Sequence, residues 1–133
     1  LEDLVRARYE RYKIVEEKEQ RAEEYRTEDA DVIVVAYGAS SRVARSAVNK
    51  AREAGKKVGL IRPITLWPFP KDAIKRAADH TKELLVVEMS MGQMVDDVRL
   101  AAECRVPVHF YGRTGGVIPT PKEILGEIDK LLK

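Results

Sequence analysis

Cysteine is nearly absent from these 133 residues. Cys104 stands alone, so the chain closes no internal disulfide, and an iron–sulfur cluster, which is held by a set of thiolates, finds one. Histidine is almost as scarce: His80 and His109 show no metal-ligand spacing with each other or with Cys104. His80 reads as a solvated turn residue, and His109, inside a strand, as a satisfied and partly buried histidine. No convincing nucleophile has a base beside it in sequence. The chain is therefore assigned no catalytic, cofactor-binding or metal-binding residue. Excess charge of one sign is missing too, because 24 basic residues against 22 acidic ones leave a net charge of +2, poor material for a nucleic-acid footprint. No apolar run approaches the roughly 20 residues of a membrane span, and no signal or transit sequence is recognisable at the N-terminus. The expectation is a soluble, cytoplasmic protein with neither a nucleic-acid nor a membrane partner.

Asn49 is the only asparagine, and Gln20 and Gln93 the only glutamines, while charged residues make up 35% of the chain. That balance resembles proteins selected in hot conditions, thermophile proteins, where thermolabile amides are few. The first residue is Leu1, which fits a piece of a longer polypeptide.

Two segments differ in character. Residues 1 to about 22 are dense in Glu, Arg and Lys and carry a thin apolar stripe at Leu1, Val5, Tyr9, Tyr12, Val15 and Ala22, interrupted at Glu19, the spacing of a helix. From Asp31 the composition changes. "VIVVAY" (32–37) is a β-branched run too short for a helix, hence a strand buried on both faces. After Gly38, "SRVARSAVNKAREAG" carries apolar residues at helical spacing, with Ser40 or Ser41 as N-cap and Gly55 as C-cap. The unit recurs as "KVGLI" (57–61) before a helix from about Pro70 to Asp79, and as "ELLVVEM" (83–89) before a helix from about Gln93 to Glu103. "VPVHFY" (106–111) is a fourth strand. "TPKEILGEIDKLLK" is a closing helix with Thr120 as cap, Pro121 in its first turn and Glu123 three residues after the cap. Such an alternation calls for parallel strands, right-handed crossovers and helices on both faces. The expected organisation is a charged linker helix with a candidate edge strand over residues 1–28, then an α/β domain over 29–133.

In a doubly wound sheet, ligands and contacts gather beyond the carboxyl ends of the strands. The loops there are "YGASS", "RPITLWPFP", "EMSMGQM" and "YGRTGG". The candidate interface or ligand-facing residues on them are Gly38, Ser40, Ser41, Arg62, Trp67, Phe69, Glu88, Met91, Gly92, Gln93, Arg113, Thr114 and Gly115. "YGASS" puts small residues and amides at a helix N-terminus. "GRTGG" offers a glycine-rich cradle without the lysine of a P-loop. In "RPITLWPFP" three prolines stiffen a connection carrying Trp67 and Phe69, so the two aromatics dock on a partner or fold back onto the domain's own core. Met89, Met91 and Met94 surround a helix start, and methionine suits contact surfaces.

Together "EDADVIVVAYGASSRVARSAVNKAREAGKKVGLIRPITLWPFP", "VVEMSMGQM" and "GRTGG…PTPKEIL" resemble the C-terminal region of the alpha subunit of 2-oxoacid:ferredoxin oxidoreductases, in particular those of the 2-ketoisovalerate (branched-chain) type. The resemblance runs from about Tyr25 to Leu125, and "ERYKIVEEKEQRAEEY" looks like the linker helix that precedes this region. It implies a three-layer α/β/α fold like the C-terminal domain of transketolase, a mostly parallel sheet of four to five strands with one antiparallel edge strand, here expected around Glu24 to Thr27. It also implies the role of a non-catalytic organising and subunit-interface domain. The whole enzymes decarboxylate a 2-oxoacid on thiamine diphosphate, pass electrons through iron–sulfur clusters to ferredoxin and release an acyl-CoA. Thiamine diphosphate, magnesium and the clusters are expected elsewhere in the full enzyme, and the implied partners are its other subunits and the preceding domain of the alpha subunit. The alternative is an independent small-molecule or anion-binding α/β module using "YGASS" and "GRTGG".

Overall fold

The computed structural model describes residues 1–133. Its ten elements are α1 (Glu2–Lys18), β1 (Ala22–Tyr25), β2 (Val32–Val35), α2 (Gly38–Glu53), β3 (Val58–Pro63), α3 (Lys71–Ala78), β4 (Glu83–Glu88), α4 (Met94–Ala102), β5 (Val108–Gly112) and α5 (Pro121–Leu131). The β-branched runs make β2, β3, β4 and β5, which pair parallel, and the sheet order is β1-β3-β2-β4-β5. With side chains alternating along each strand, Ile33, Val35, Ile61, Leu84 and Val86 meet Ile74, Val95 and Val98 of α3 and α4. On the other face Val32, Val34, Leu60, Leu85 and Val87 meet Ala44, Val48, Ile124 and Ile128 of α2 and α5. The result is a three-layer α/β/α domain built around a mostly parallel five-stranded sheet.

The fifth strand is β1, at Ala22–Tyr25, a little earlier than the stretch expected around Glu24 to Thr27. It pairs antiparallel with β3, Glu23 opposite Arg62 and Tyr25 opposite Leu60. Its two glutamates tolerate the sheet edge because each finds a cation on its own side: Glu23 pairs with Arg45 and Arg62, and Glu24 with Arg76. α1 buries none of its residues, as its thin stripe implied.

Helix ends follow the sequence in part. Thr120 Oγ1 accepts the Glu123 N–H and Pro121 occupies the first turn of α5. At the end of α2, Gly55 takes a left-handed φ of +80°, while Lys56 and Gly55 donate to Ala51 and Arg52 carbonyls, which closes the helix in a Schellman arrangement. Neither Ser40 nor Ser41 caps α2, however. Gly38 adopts φ +59° and turns the chain from strand into helix at once, so both serines fall inside the first turn, buried, and Ser41 Oγ donates to the Gly38 carbonyl.

Candidate functional site: the carboxyl face of the sheet

The loops that leave the carboxyl ends of the parallel strands form one face, and each is fixed by contacts reaching far along the chain. After β3, the loop is tied to the segment before β1: Ile64 and Thr65 donate to the Arg21 carbonyl, and Arg21 donates back to Thr65 Oγ1 at 3.0 Å. Thr65 Oγ1 also donates to the Pro68 carbonyl at 2.8 Å, and the Trp67–Pro68 bond is cis. Gln20 Oε1 accepts the Asp72 N–H at 3.1 Å and so caps the start of α3 from outside the helix. In this frame the two aromatics part company. Phe69 folds inward against the α3/α4 core, whereas Trp67 stays 58% exposed and meets the edge of Tyr12 at 5.5 Å, with Tyr9 a further 5.7 Å beyond. Phe69 therefore folds back onto the domain's own core, while Trp67 stays outside it against α1 of the same chain.

The loop after β4 is organised by Glu88, which is 1% exposed. Its carboxylate accepts the N–H of Met94 at 2.7 Å, of Val95 at 3.1 Å and of Gln93 at 3.2 Å, and the Ser90 hydroxyl at 3.4 Å. A buried carboxylate is tolerable here because it sits at the positive end of α4 with its lone pairs filled. Gln93 starts the helix without a capping hydrogen bond of its own side chain, and Glu88 does that work from the strand. Gly92 makes the turn at φ +113°. Met94 is driven into the core while Met91 is left 85% exposed, held outward by a rigid turn. On α4 itself, burial, then the neighbouring Asp96 and Glu88, push the Asp97 carboxyl above its ordinary value.

The loop after β5 carries Arg113, Thr114 and Gly115. Arg113 is not free to cradle an anion: it donates to Glu123 at 2.9 Å, beside the Tyr111 hydroxyl at 2.5 Å from the same carboxylate. Hydrogen bonding to Tyr111, then Arg113, holds the Glu123 carboxyl below its usual range; the bond to Glu123 raises Tyr111, and bonding to Tyr111, then Glu123, raises Arg113. Gly115 and Gly116 both have positive φ, and Thr114 closes the turn by accepting the Val117 N–H.

Gly38 opens the fourth loop, where Arg62 of β3 and Arg45 of α2 share Glu23. Sequence reasoning missed Arg42 and Arg45 here, although their spacing of three on α2 was visible. His80 is exposed in the turn after α3, as its sequence position implied, with Nδ1 3.0 Å from the Arg76 carbonyl and Nε2 2.7 Å from that of Thr27. His109 is partly buried and paired with Glu83 at 2.7 Å.

Seven exposed large apolar side chains lie on the loops of this face and five on α1, which meets it through Tyr12 and Trp67. Of the fourteen, Leu1, just before α1, and Leu100 are the two outside α1 and the three loops that follow β3, β4 and β5. The opposite end of the sheet is polar and charge-balanced, with Arg52 on Asp29, Arg76 on Glu24 and Arg105 on Asp79. No three His, Cys, Asp or Glu side chains converge as metal ligands do, and Cys104 is exposed in the turn after α4. The residues present do not fit an iron–sulfur cluster. No helix is long and apolar enough to cross a membrane.

Fold and face together define a transketolase C-terminal-like α/β domain with exposed apolar side chains on α1 and on the loops at the carboxyl ends of its strands. Residues 30–124 match the family model of pyruvate:ferredoxin oxidoreductase core domain II, and the chain belongs to that family. It is 50% identical over 119 residues to ketoisovalerate oxidoreductase subunit VorB of Methanothermobacter thermautotrophicus, covering 90% of this chain and 34% of that protein. It is 44% identical over 102 residues to 2-oxoglutarate synthase subunit KorA of Methanothermobacter marburgensis, covering 77% of this chain and 27% of that one. Among solved structures, a 2-oxoglutarate:ferredoxin oxidoreductase from Magnetococcus marinus, with 2-oxoglutarate, coenzyme A and succinyl-CoA bound, superposes with a TM-score of 0.87 at 25% identity, over 99% of this chain and 23% of that one. A split-gene transketolase shares the fold, with a TM-score of 0.70 at 19% identity over 84% of this chain and 41% of that one. The chain thus spans about a third of the length of the ketoisovalerate oxidoreductase subunits it matches.

Proposed function

We propose that this chain is the non-catalytic organising and subunit-interface domain of a thiamine-diphosphate-dependent 2-oxoacid:ferredoxin oxidoreductase acting on 2-ketoisovalerate. One observation carries the reading: nearly all of the exposed large apolar side chains lie on α1 and the carboxyl-end loops. Contiguous exposed apolar surface marks contact sites, and Trp67 and Met91 are held outward by turns that the rest of the fold makes rigid. The occupant of this face is the preceding domain of the same subunit together with the partner subunits. α1 is the connection, since it docks through Tyr12 onto Trp67 while burying nothing in the domain.

Thiamine diphosphate, magnesium, the iron–sulfur clusters and the ferredoxin contact belong to those other parts, and coenzyme A is a substrate of the whole enzyme. The choice of 2-ketoisovalerate follows the ketoisovalerate relatives, which exceed the 2-oxoglutarate ones in identity.

Reconstitution tests the reading. The remaining subunits, prepared without this segment, are mixed with the chain, and association and 2-ketoisovalerate-dependent reduction of a dye are measured. The chain alone is expected to be inactive, and the mixture to associate and to regain activity. Dye reduction by the chain alone, or failure to associate, would overturn it.

A further inference from the structure

Beside the apolar face lies a small cleft lined by Glu23 of β1, Gly38, Ala39, Ser41, Arg42 and Arg45 at the start of α2, and Arg62 near the end of β3. Arg42 and Arg45, three apart, share one face of the helix, and the sheet brings Arg62 to them across β1. Two of the three guanidiniums are fixed in place. Arg45 lies over the Tyr25 ring, 4.3 Å from its centre, while the Tyr25 hydroxyl is anchored on Asn49 at 2.6 Å. Both Arg45 and Arg62 are bonded to Glu23. Arg42 is exposed and has no acid of its own in the cleft.

Charge decides what such a cleft can hold. Three arginines against one glutamate leave two uncompensated positive charges among its lining side chains. The first turn of α2 adds to this, since it has neither an acidic residue nor a side-chain cap and its amides carry partial positive charge. Other clefts of the protein are compensated. The groove at the opposite end holds Arg26, Arg52 and Arg76 against Glu24, Glu28 and Asp29, and Arg113 is spent on Glu123.

We propose that the Arg42–Arg45–Arg62 cleft binds the phosphate group of a small phosphorylated ligand. A phosphate dianion matches the surplus of two charges. Its tetrahedral oxygens suit donors arriving from several directions, and guanidinium forks are the side chains best shaped for it. The cleft volume of about 420 Å³ lies in the range of small-molecule sites, roughly 300–1,000 Å³, so the phosphate is part of a larger molecule. The site lies wholly within this chain and does not depend on the interface reading.

The test is a titration of the nitrogen-15-labelled chain with adenosine monophosphate and, separately, with pyrophosphate, against sodium chloride at matched ionic strength. Saturable shifts of the Gly38 and Ala39 amides are expected with a phosphate compound and not with chloride. Saturation by the monophosphate identifies an ester as the source, and saturation by pyrophosphate alone identifies a free diphosphate. Arg42→Gln should weaken binding by about tenfold or more, the loss of one charged hydrogen bond, and Arg6→Gln on α1 should not change it. Shifts that chloride reproduces, no shift with either phosphate, or an Arg42→Gln protein that binds as tightly as the parent would overturn the proposal.

Discussion

Replacing Glu88 by Gln changes almost nothing in size and should nevertheless unsettle one whole loop. Both carboxylate oxygens accept main-chain N–H groups, Oε1 from Met94 and Oε2 from Val95, with Gln93 shared between them. A glutamine keeps one acceptor, so its amide N–H₂ must point at an N–H that also donates, inside a site that is 1% exposed. Loss of the charge at a partly buried helix N-terminus costs up to about 2 kcal/mol, and one unsatisfied buried donor costs about 1–3 kcal/mol. Relief of the buried charge offsets part of this, leaving a net loss of about 2–4 kcal/mol. With a urea m value of about 2 kcal/mol/M, the middle of the usual range, the unfolding midpoint of the 133-residue chain should fall by about 1–2 M at unchanged m. Hydrogen exchange should quicken first at Gln93, Met94 and Val95. A loss below about 0.5 kcal/mol, or unchanged protection of those amides, would refute the assignment of Glu88 as the device that holds the Met91 turn.

Further outcomes follow from other contacts. Trp67→Ala should cost the chain itself no more than about 1 kcal/mol, an aromatic pair being worth roughly 0.5–1.5 kcal/mol. In association with the rest of the enzyme it should lose about 2 kcal/mol or more, roughly thirtyfold; a large drop in melting temperature with unchanged association would make Trp67 a core residue. Because the folded state holds the Glu123 carboxyl below its ordinary value of 4.5, its contribution is complete above that pH and is lost as pH falls through the depressed folded value. Glu123→Gln should therefore flatten the acid limb of the stability curve, and an unaltered limb would remove Glu123 from the account. Deletion of residues 1–18 should leave the domain folded, since α1 buries nothing, with circular dichroism losing helix alone; loss of cooperative unfolding would show α1 to be integral. Gly59→Ala would place a methyl 2.6 Å from the Arg26 carbonyl, so a destabilisation of about 1–3 kcal/mol is expected in urea, and a neutral result would mean that the β1–β2 turn moves freely.

The parallel core was legible because its strands are buried on both faces, so "VIVVAY" and "ELLVVEM" needed no alternation to be read, and Gly55, Thr120 and Pro121 act through their immediate neighbours. β1 was legible only through resemblance. An edge strand with two glutamates has no apolar pattern, and its partners Arg45, Arg62 and Arg76 come from elements 22 to 52 residues away. Glu88 illustrates the same limit within the site. Its place at a strand end was visible, but the cap it supplies reaches five to seven residues forward across a turn, beyond the local N-cap rule. Sequence left open whether Trp67 and Phe69 turn in or out, because proline stiffness fixes a direction without saying where the core lies. The arginine cleft needed the sheet to bring Arg62 to Arg42 and Arg45.

The claim that the apolar carboxyl face and α1 are where this domain meets the rest of the enzyme is tested most directly by hydrogen exchange, comparing the chain alone with the chain assembled into the complex. Protection should rise in α1 and in the loops around Trp67, Met91 and Ile118. It should stay unchanged in the charged turns at the other end, around Glu28, Lys57, His80 and Arg105. Protection confined to those charged turns, with α1 and the three loops exchanging as fast as in the isolated chain, would contradict the account.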